Sequence, residues 1–300
     1  MARLPCARLM VLSQILEQVL NGLLVGAYYL LIALGLSLIF SLGGLVNLAH
    51  GAFYALGAYF AVKLVDVLGF GGVLVASPVL VALIGLVVER FLFRRFYRED
   101  PALGLLMTFG LAMVAEQALR LIFGAAPLPF SIPPALKGQF LVGDFIYSKY
   151  RLVMLAIAAG AVAALWLLLQ RTPFGRVVRA GVQNPDMVAA LGISLQPYMS
   201  AVVAISVALA ALAGVLLAPI TGVHPAMGAE ILTAAFVVVV IGGLGSFWGV
   251  VWAALIVGVV RGLTVYFYPA AAEASMYLLM VLVLLVRPRG LFGERIQRFE

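Results

Sequence analysis

Three hundred residues with 65% hydrophobic and only 10% charged side chains cannot form a water-soluble globule, in which charged residues run near a quarter. The net charge of +7 is no nucleic-acid surface either. Eleven of the sixteen arginines fall in three short segments, Arg90 to Arg98, Arg171 to Arg179 and Arg287 to Arg298, each abutting an apolar run.

Apolar runs of roughly 20 residues recur, enough to cross a hydrocarbon layer about 30 Å thick. Lipid offers the backbone no partners, so such runs must be helices. The sequence predicts an all-α polytopic bundle, one transmembrane domain over 1–300, with about eight to ten spanning or partly spanning helices. A single cysteine, Cys6, leaves no internal disulfide.

The chain opens with Arg3 and Arg8, as a signal peptide might, but Gln14, Glu17, Gln18 and Asn21 interrupt the apolar core that such a segment needs. Leu9, Leu12, Leu16 and Val19 or Leu20 recur at helical spacing, which predicts an interfacial helix or the start of the first span over 9–20. Spanning candidates follow at 21–41, 45–62, 72–89, 103–123, 152–170, 200–220, 231–247, 250–268 and 274–287. The positive-inside bias puts all three arginine segments in the cytoplasm. Two candidates lie between the first and second segments and four between the second and third, and both numbers return the chain to the same side. The three candidates before Arg90 place the N-terminus outside, against Arg3 and Arg8. Either 45–62 dips in and out, or 9–20 is an extra span, or Arg3 and Arg8 are weak signals; an even total of eight or ten is expected.

Asn47 and His50 stand three apart at the start of 45–62, expected on one helical face, among Gly51, Gly57 and alanines. Small neighbours let another backbone or a solute approach. The pair either clamps a helix break or lines a path. Gly22 and Gly26, and later Ser206, Ala210 and Gly214, are spaced for close helix contact. Glu116 and Arg120 are in the favourable order for a helical pair. The stretch 124–150, with Pro127, Pro129, Pro133 and Pro134, reads as an irregular outward loop.

Between two spans lies a polar island, 171–196. Pro173 opens a helix, Asn184-Pro185 breaks it in two, and Gly192 ends the second half. Val177, Val178, Val188, Leu191 and Ile193 are the expected apolar contacts, with Arg176, Arg179, Gln183, Asn184 and Asp186 in water. Such a segment either docks a cytosolic partner or lies on anionic lipid. Beyond it, His224 reads as a loop residue, Glu230 and Glu273 fall at helix ends, and Gly242, Gly243, Gly245 and Ser246 make a pliable turn and candidate hinge.

Enzymatic chemistry has little to work with. Two histidines, one cysteine and no HExxH or CxxC motif argue against a membrane hydrolase or metal site. A P-loop needs lysine after glycine, and Lys63, Lys137 and Lys149 never follow one. Any ATP used must be bound by another subunit.

Five blocks in order resemble the permeases of ABC transporters for branched-chain amino acids. They are Asn47-Leu-Ala-His-Gly51 with Gly57-Ala-Tyr59, Thr108-Phe-Gly-Leu111, Gly175-Arg-Val-Val-Arg-Ala180 with Ala189-Ala-Leu-Gly-Ile193, Gly242-Gly-Leu-Gly-Ser246 and Arg287-Pro-Arg-Gly-Leu-Phe-Gly293. The chain is similar to the shorter of that family's two paired permeases. The resemblance implies a multi-pass protein of the bacterial cytoplasmic (inner) membrane. It would pair with a paralogous permease, two cytoplasmic ATPases that bind ATP and Mg, and an extracytoplasmic solute-binding protein. Gly175, Arg176, Arg179, Ala180, Ala189, Leu191, Gly192 and Ile193 would form the coupling segment. Many members carry a lysine where this chain has Thr233-Ala-Ala-Phe236, and urea, short-amide and aromatic-acid systems have similar permeases, so the solute stays open.

Overall fold

A computed structural model describes residues 4–97, 99–142 and 145–293; Arg3 lies outside them. The helices are α1 Leu4–Gly43, α2 His50–Val88, which runs through a π turn at Glu89–Phe93 into the short α3 Arg94–Phe96, α4 Pro101–Phe123, and α5 Lys149–Arg171. Then come α6 Pro173–Gln183, α7 Pro185–Ala190, α8 Gln196–Thr221, α9 Met227–Gly242, α10 Phe247–Phe267 and α11 Ala272–Val286. Seven helical stretches are long and apolar enough to span a membrane, and Met227–Gly242 is a shorter apolar one.

One of the seven is really two. Gly69 sits at φ 65°, ψ 173° inside α2, a left-handed conformation that glycine adopts without a Cβ penalty. The chain reverses there, and the Ser77 hydroxyl donates to the Gly57 carbonyl at 2.7 Å across the resulting hairpin. Counted by its two arms, α2 brings the described apolar segments to nine. The even total is therefore corrected. Residues 9–20 are no separate span; they run on into α1.

The described parts of all three arginine segments meet at one end, as the charge bias requires; Arg98, Arg295 and Arg298 lie outside the described residues. Glu89, buried, accepts from Ser200 at 2.7 Å and pairs with Arg94 at 3.6 Å, which ties the end of the second α2 arm to the start of α8. A Cβ on Gly43, at the end of α1, would meet Met199 and Tyr97, and one on Gly181 would meet Leu42. The segment after α11 donates from Leu291 N to Ile241 O and from Phe292 N to Gly242 O, at the end of α9. At the opposite end, Tyr150 donates to Leu216 O at 2.7 Å, and a backbone bridge joins Leu128 to Val223. The stretch 124–150 is more ordered than expected. It holds an antiparallel hairpin, β1 Gln139–Val142 against β2 Phe145–Ser148, with Gln139 opposite Ser148.

The core lies where α8 crosses both arms of α2 and where α1 packs on α10. Helices in lipid gain little from hydrophobic burial against each other, so contact depends on close backbone approach. The small residues provide it. A Cβ on Gly22 would meet Gly258 O at 2.7 Å, one on Gly26 would meet Ala254 O at 2.7 Å, and one on Gly214 would collide with the Tyr54 carbonyl.

Candidate functional site

The polar island 171–196 has the form expected of it. Thr172 accepts from Gly175 N at 3.2 Å and starts α6; Asn184 accepts from Met187 N at 2.9 Å and starts α7. Gly192 is left-handed, φ 76°, and stops the turn after α7. Within α6, Gly175, Val178 and Gly181 face the bundle, while Arg176 and Ala180 are exposed.

Three residues depart from expectation. Arg179 turns inward instead of staying in water, and its guanidinium donates to the Leu169 carbonyl at the end of α5, one of the carbonyls a helix end leaves unpaired. Gly175 closes on the same Leu169, where no Cβ fits. Leu191 and Ile193 were expected to make apolar contacts, as were Val178 and Val188. The valines are buried, but Leu191 is 72% exposed and Ile193 37%. With Met187 at 59% exposed, they make an apolar tip beyond the basic end of the bundle, with Ala189 and Gly192 exposed beside them. The bundle itself has no use for that tip.

Asn47 and His50 do not share a helical face, which corrects the sequence expectation. Residues 44–49 are non-helical, and α2 begins at His50. Asn47 Oδ1 accepts from Ala49 N at 3.0 Å in a tight turn before the helix. Both side chains are fully buried. A Cβ on Gly35 would meet His50 Nε2 at 2.9 Å and Ser206 O at 2.7 Å. Gly35 lies about 12 Å back along α1 from Gly43, at 1.5 Å per residue. The chain therefore re-enters the bundle as non-helical backbone before α2 starts. Asn47 Nδ2, both His50 ring nitrogens and Ser206 Oγ form no hydrogen bond of good geometry. Gly51 and Gly57 sit at crossings, Gly51 against Gly228 of α9 and Gly57 against Ala211 of α8.

The glycine-rich turn is tied at both ends. Ser246 accepts from Gly249 N at 3.1 Å and starts α10, Gly243 and Gly245 are left-handed, and Gly242 packs on Gly249. The Arg287–Gly293 segment closes over it, so that a Cβ on Gly290 would meet Gly243 N at 2.6 Å. Two sequence blocks 40 residues apart thus form one knot.

A polar cavity of about 310 Å³ opens toward the end opposite the basic one, between α1, α8, α9, α10 and α11. Arg261 projects into it from α10, donates to the Tyr29 hydroxyl and lies over the Tyr29 ring, 5.7 Å from its centroid. His224 Nε2 and Glu230 Oε1 are 3.2 Å apart on its wall, and Glu273, in the first turn of α11, completes the ionisable lining. Tyr54, one helical turn beyond His50, lines it too. Reading the sequence passed over Arg261. The available signal was plain: it is the one charged residue in the run 250–268. His224 and Glu230, read as loop and helix-end residues, are brought together only by the fold.

The profile of a protein family described as "Branched-chain amino acid transport system / permease component" matches residues 18–287. The chain belongs to that family. It is 30% identical to the high-affinity branched-chain amino acid transport system permease protein LivH of Salmonella typhimurium, over 93% of this chain and 96% of that one. It is 29% identical to BraD of Pseudomonas aeruginosa over the same shares. It is also 30% identical to LivM of Escherichia coli, where it covers 88% of itself but 67% of the longer partner. The chain is thus a multi-pass membrane permease component and not an enzyme, similar to both paralogues of a permease pair and matching the shorter end to end.

Proposed function

We propose that this chain is the shorter permease of an ATP-driven importer for branched-chain or similarly hydrophobic amino acids in the bacterial cytoplasmic membrane. It would act by alternating access beside a paralogous permease. Two ATPases holding ATP and Mg would dock at the basic end, and a solute-binding protein would deliver from the other. The observation that carries this reading is the α6–α7 corner. Gly175 and Arg179 lock it to the end of α5, while Met187, Leu191 and Ile193 are held out in solvent. Exposed apolar side chains on a rigid mount fit a protein partner better than a lipid surface, which basic residues alone would satisfy. A push on this corner would pass directly into α5 and, through the Leu42–Gly181 contact, into α1. The knotted turn at Gly242–Ser246 would move as one unit with the segment after α11 rather than bend by itself.

The test is leucine uptake by proteoliposomes holding the assembled complex. Leu191→Asp is expected to abolish ATP-driven uptake and detach the ATPases while the permease pair stays folded. Full uptake with bound ATPases in that variant would refute the coupling role.

A further inference from the structure

Resting on the import reading, we infer that the cavity around Arg261 is a transient solute site on this chain, built for a zwitterionic α-amino acid with an apolar side chain. A guanidinium in a spanning segment is expensive and normally paired. Among the described residues Arg261 has no carboxylate partner; its hydrogen bonds go to the neutral hydroxyls of Tyr29 and Tyr28. A guanidinium carries five donors in a planar fork that suits a carboxylate, so most of that capacity is open. The same cavity holds Glu273, likewise without an ion-pair partner, and Glu230, which His224 already occupies on one oxygen. Internal pairing would have joined Arg261 to one of these acids. Instead the fold keeps one cation and one anion apart in a single chamber, each lacking the charge that the two ends of an amino acid carry. Buried Ile231 and Met276 line the same cavity, an apolar surface for an aliphatic side chain. The chamber opens away from the basic end, where a delivered solute arrives first. Tyr54 connects it to the α2 start at His50, which lies deeper in the bundle.

The experiment uses the assembled membrane complex in lipid nanodiscs without a binding protein, read by saturation-transfer NMR at millimolar ligand. The probes are L-leucine, L-leucinol, which lacks the carboxylate, and 4-methylpentanoate, which lacks the amine. Leucine is expected to give the strongest signal. Arg261→Gln should cut its advantage over leucinol about tenfold, the loss of a charge-assisted bond. Glu273→Gln should erase its advantage over 4-methylpentanoate instead. A general packing defect would weaken all three ligands together. Equal signals from the three ligands, or unchanged discrimination in both variants, overturn the site. If Arg261→Gln fails to assemble, Glu273→Gln, at an exposed side chain, decides alone. ATP-driven leucine uptake in parallel proteoliposomes separates the two ideas. Uptake without discrimination removes the site and leaves import standing, while no uptake in the unaltered complex removes both.

Discussion

The start of α2 and the α6–α7 corner are both short segments in which glycines and polar side chains are set among apolar ones. Folding gives them opposite roles. Close to His50, Gly51, Gly57 and Gly214 each face another backbone, because α9, α8 and α2 leave no room for a Cβ. At the corner Gly175 alone meets backbone, Gly181 meets the side chains of Leu195 and Leu42, a Cβ on Gly192 would meet nothing, and Leu191 is exposed. A glycine motif therefore marks either a crossing or a presented surface, and the neighbours decide which.

The contrast can be broken most forcefully at a crossing. Gly57→Leu places its Cβ 2.5 Å from Ala211 Cα and O, so α2 and α8 must separate. Overpacking costs about 1–3 kcal/mol and more where backbone is the obstacle. The expected outcome is loss of the monodisperse permease peak in detergent size-exclusion chromatography. Next comes Arg179→Ala, which orphans the Leu169 carbonyl and should cost about 1.5–3 kcal/mol, as hydrogen bonds to charged groups do. A lowered thermal midpoint of the isolated permease checks it; an unchanged midpoint would mean that Arg179 serves a partner and not α5.

Ser246→Ala removes the cap on Gly249 N and should cost about 1 kcal/mol. Its midpoint should fall by less than that of Arg179→Ala. The smallest effect on stability is expected at Leu191→Ser, within about 0.5 kcal/mol, because an exposed side chain away from special geometry contributes little. The same variant should still lose ATPase co-purification, as truncated interface anchors do. A stability loss equal to that of Gly57→Leu would erase the distinction between the two regions.

Much of the fold was legible beforehand, and the reasons are local. Segment length and apolar content fix spanning helices, so 103–123, 152–170 and 200–220 fall within a few residues of α4, α5 and α8. Capping chemistry is local too, which is why the break at Asn184-Pro185 and the stop at Gly192 were readable. The inward turn of Arg179 was not, because the Leu169 carbonyl it meets becomes a neighbour only when α6 folds back on α5. The separation of Asn47 from the α2 face was hidden for a related reason. Hydropathy runs unbroken through 45–62, and the re-entry of 44–49 is held from α4, where the Thr108 hydroxyl accepts from Leu48 N at 3.2 Å and donates to Val46 O at 3.1 Å.

By itself, the sequence determined a multi-pass helical permease, its basic end, its corner of two short helices and its family, since hydropathy, charge bias, caps and ordered motifs all act over a few residues. Only the tertiary structure decided that α2 is a hairpin, that the glycine-rich turn and the Arg287–Gly293 segment form one knot, and that Arg261, Glu230 and Glu273 share a chamber. Those arrangements depend on which helix faces meet, and in lipid that is settled by close backbone approach between segments far apart in the chain.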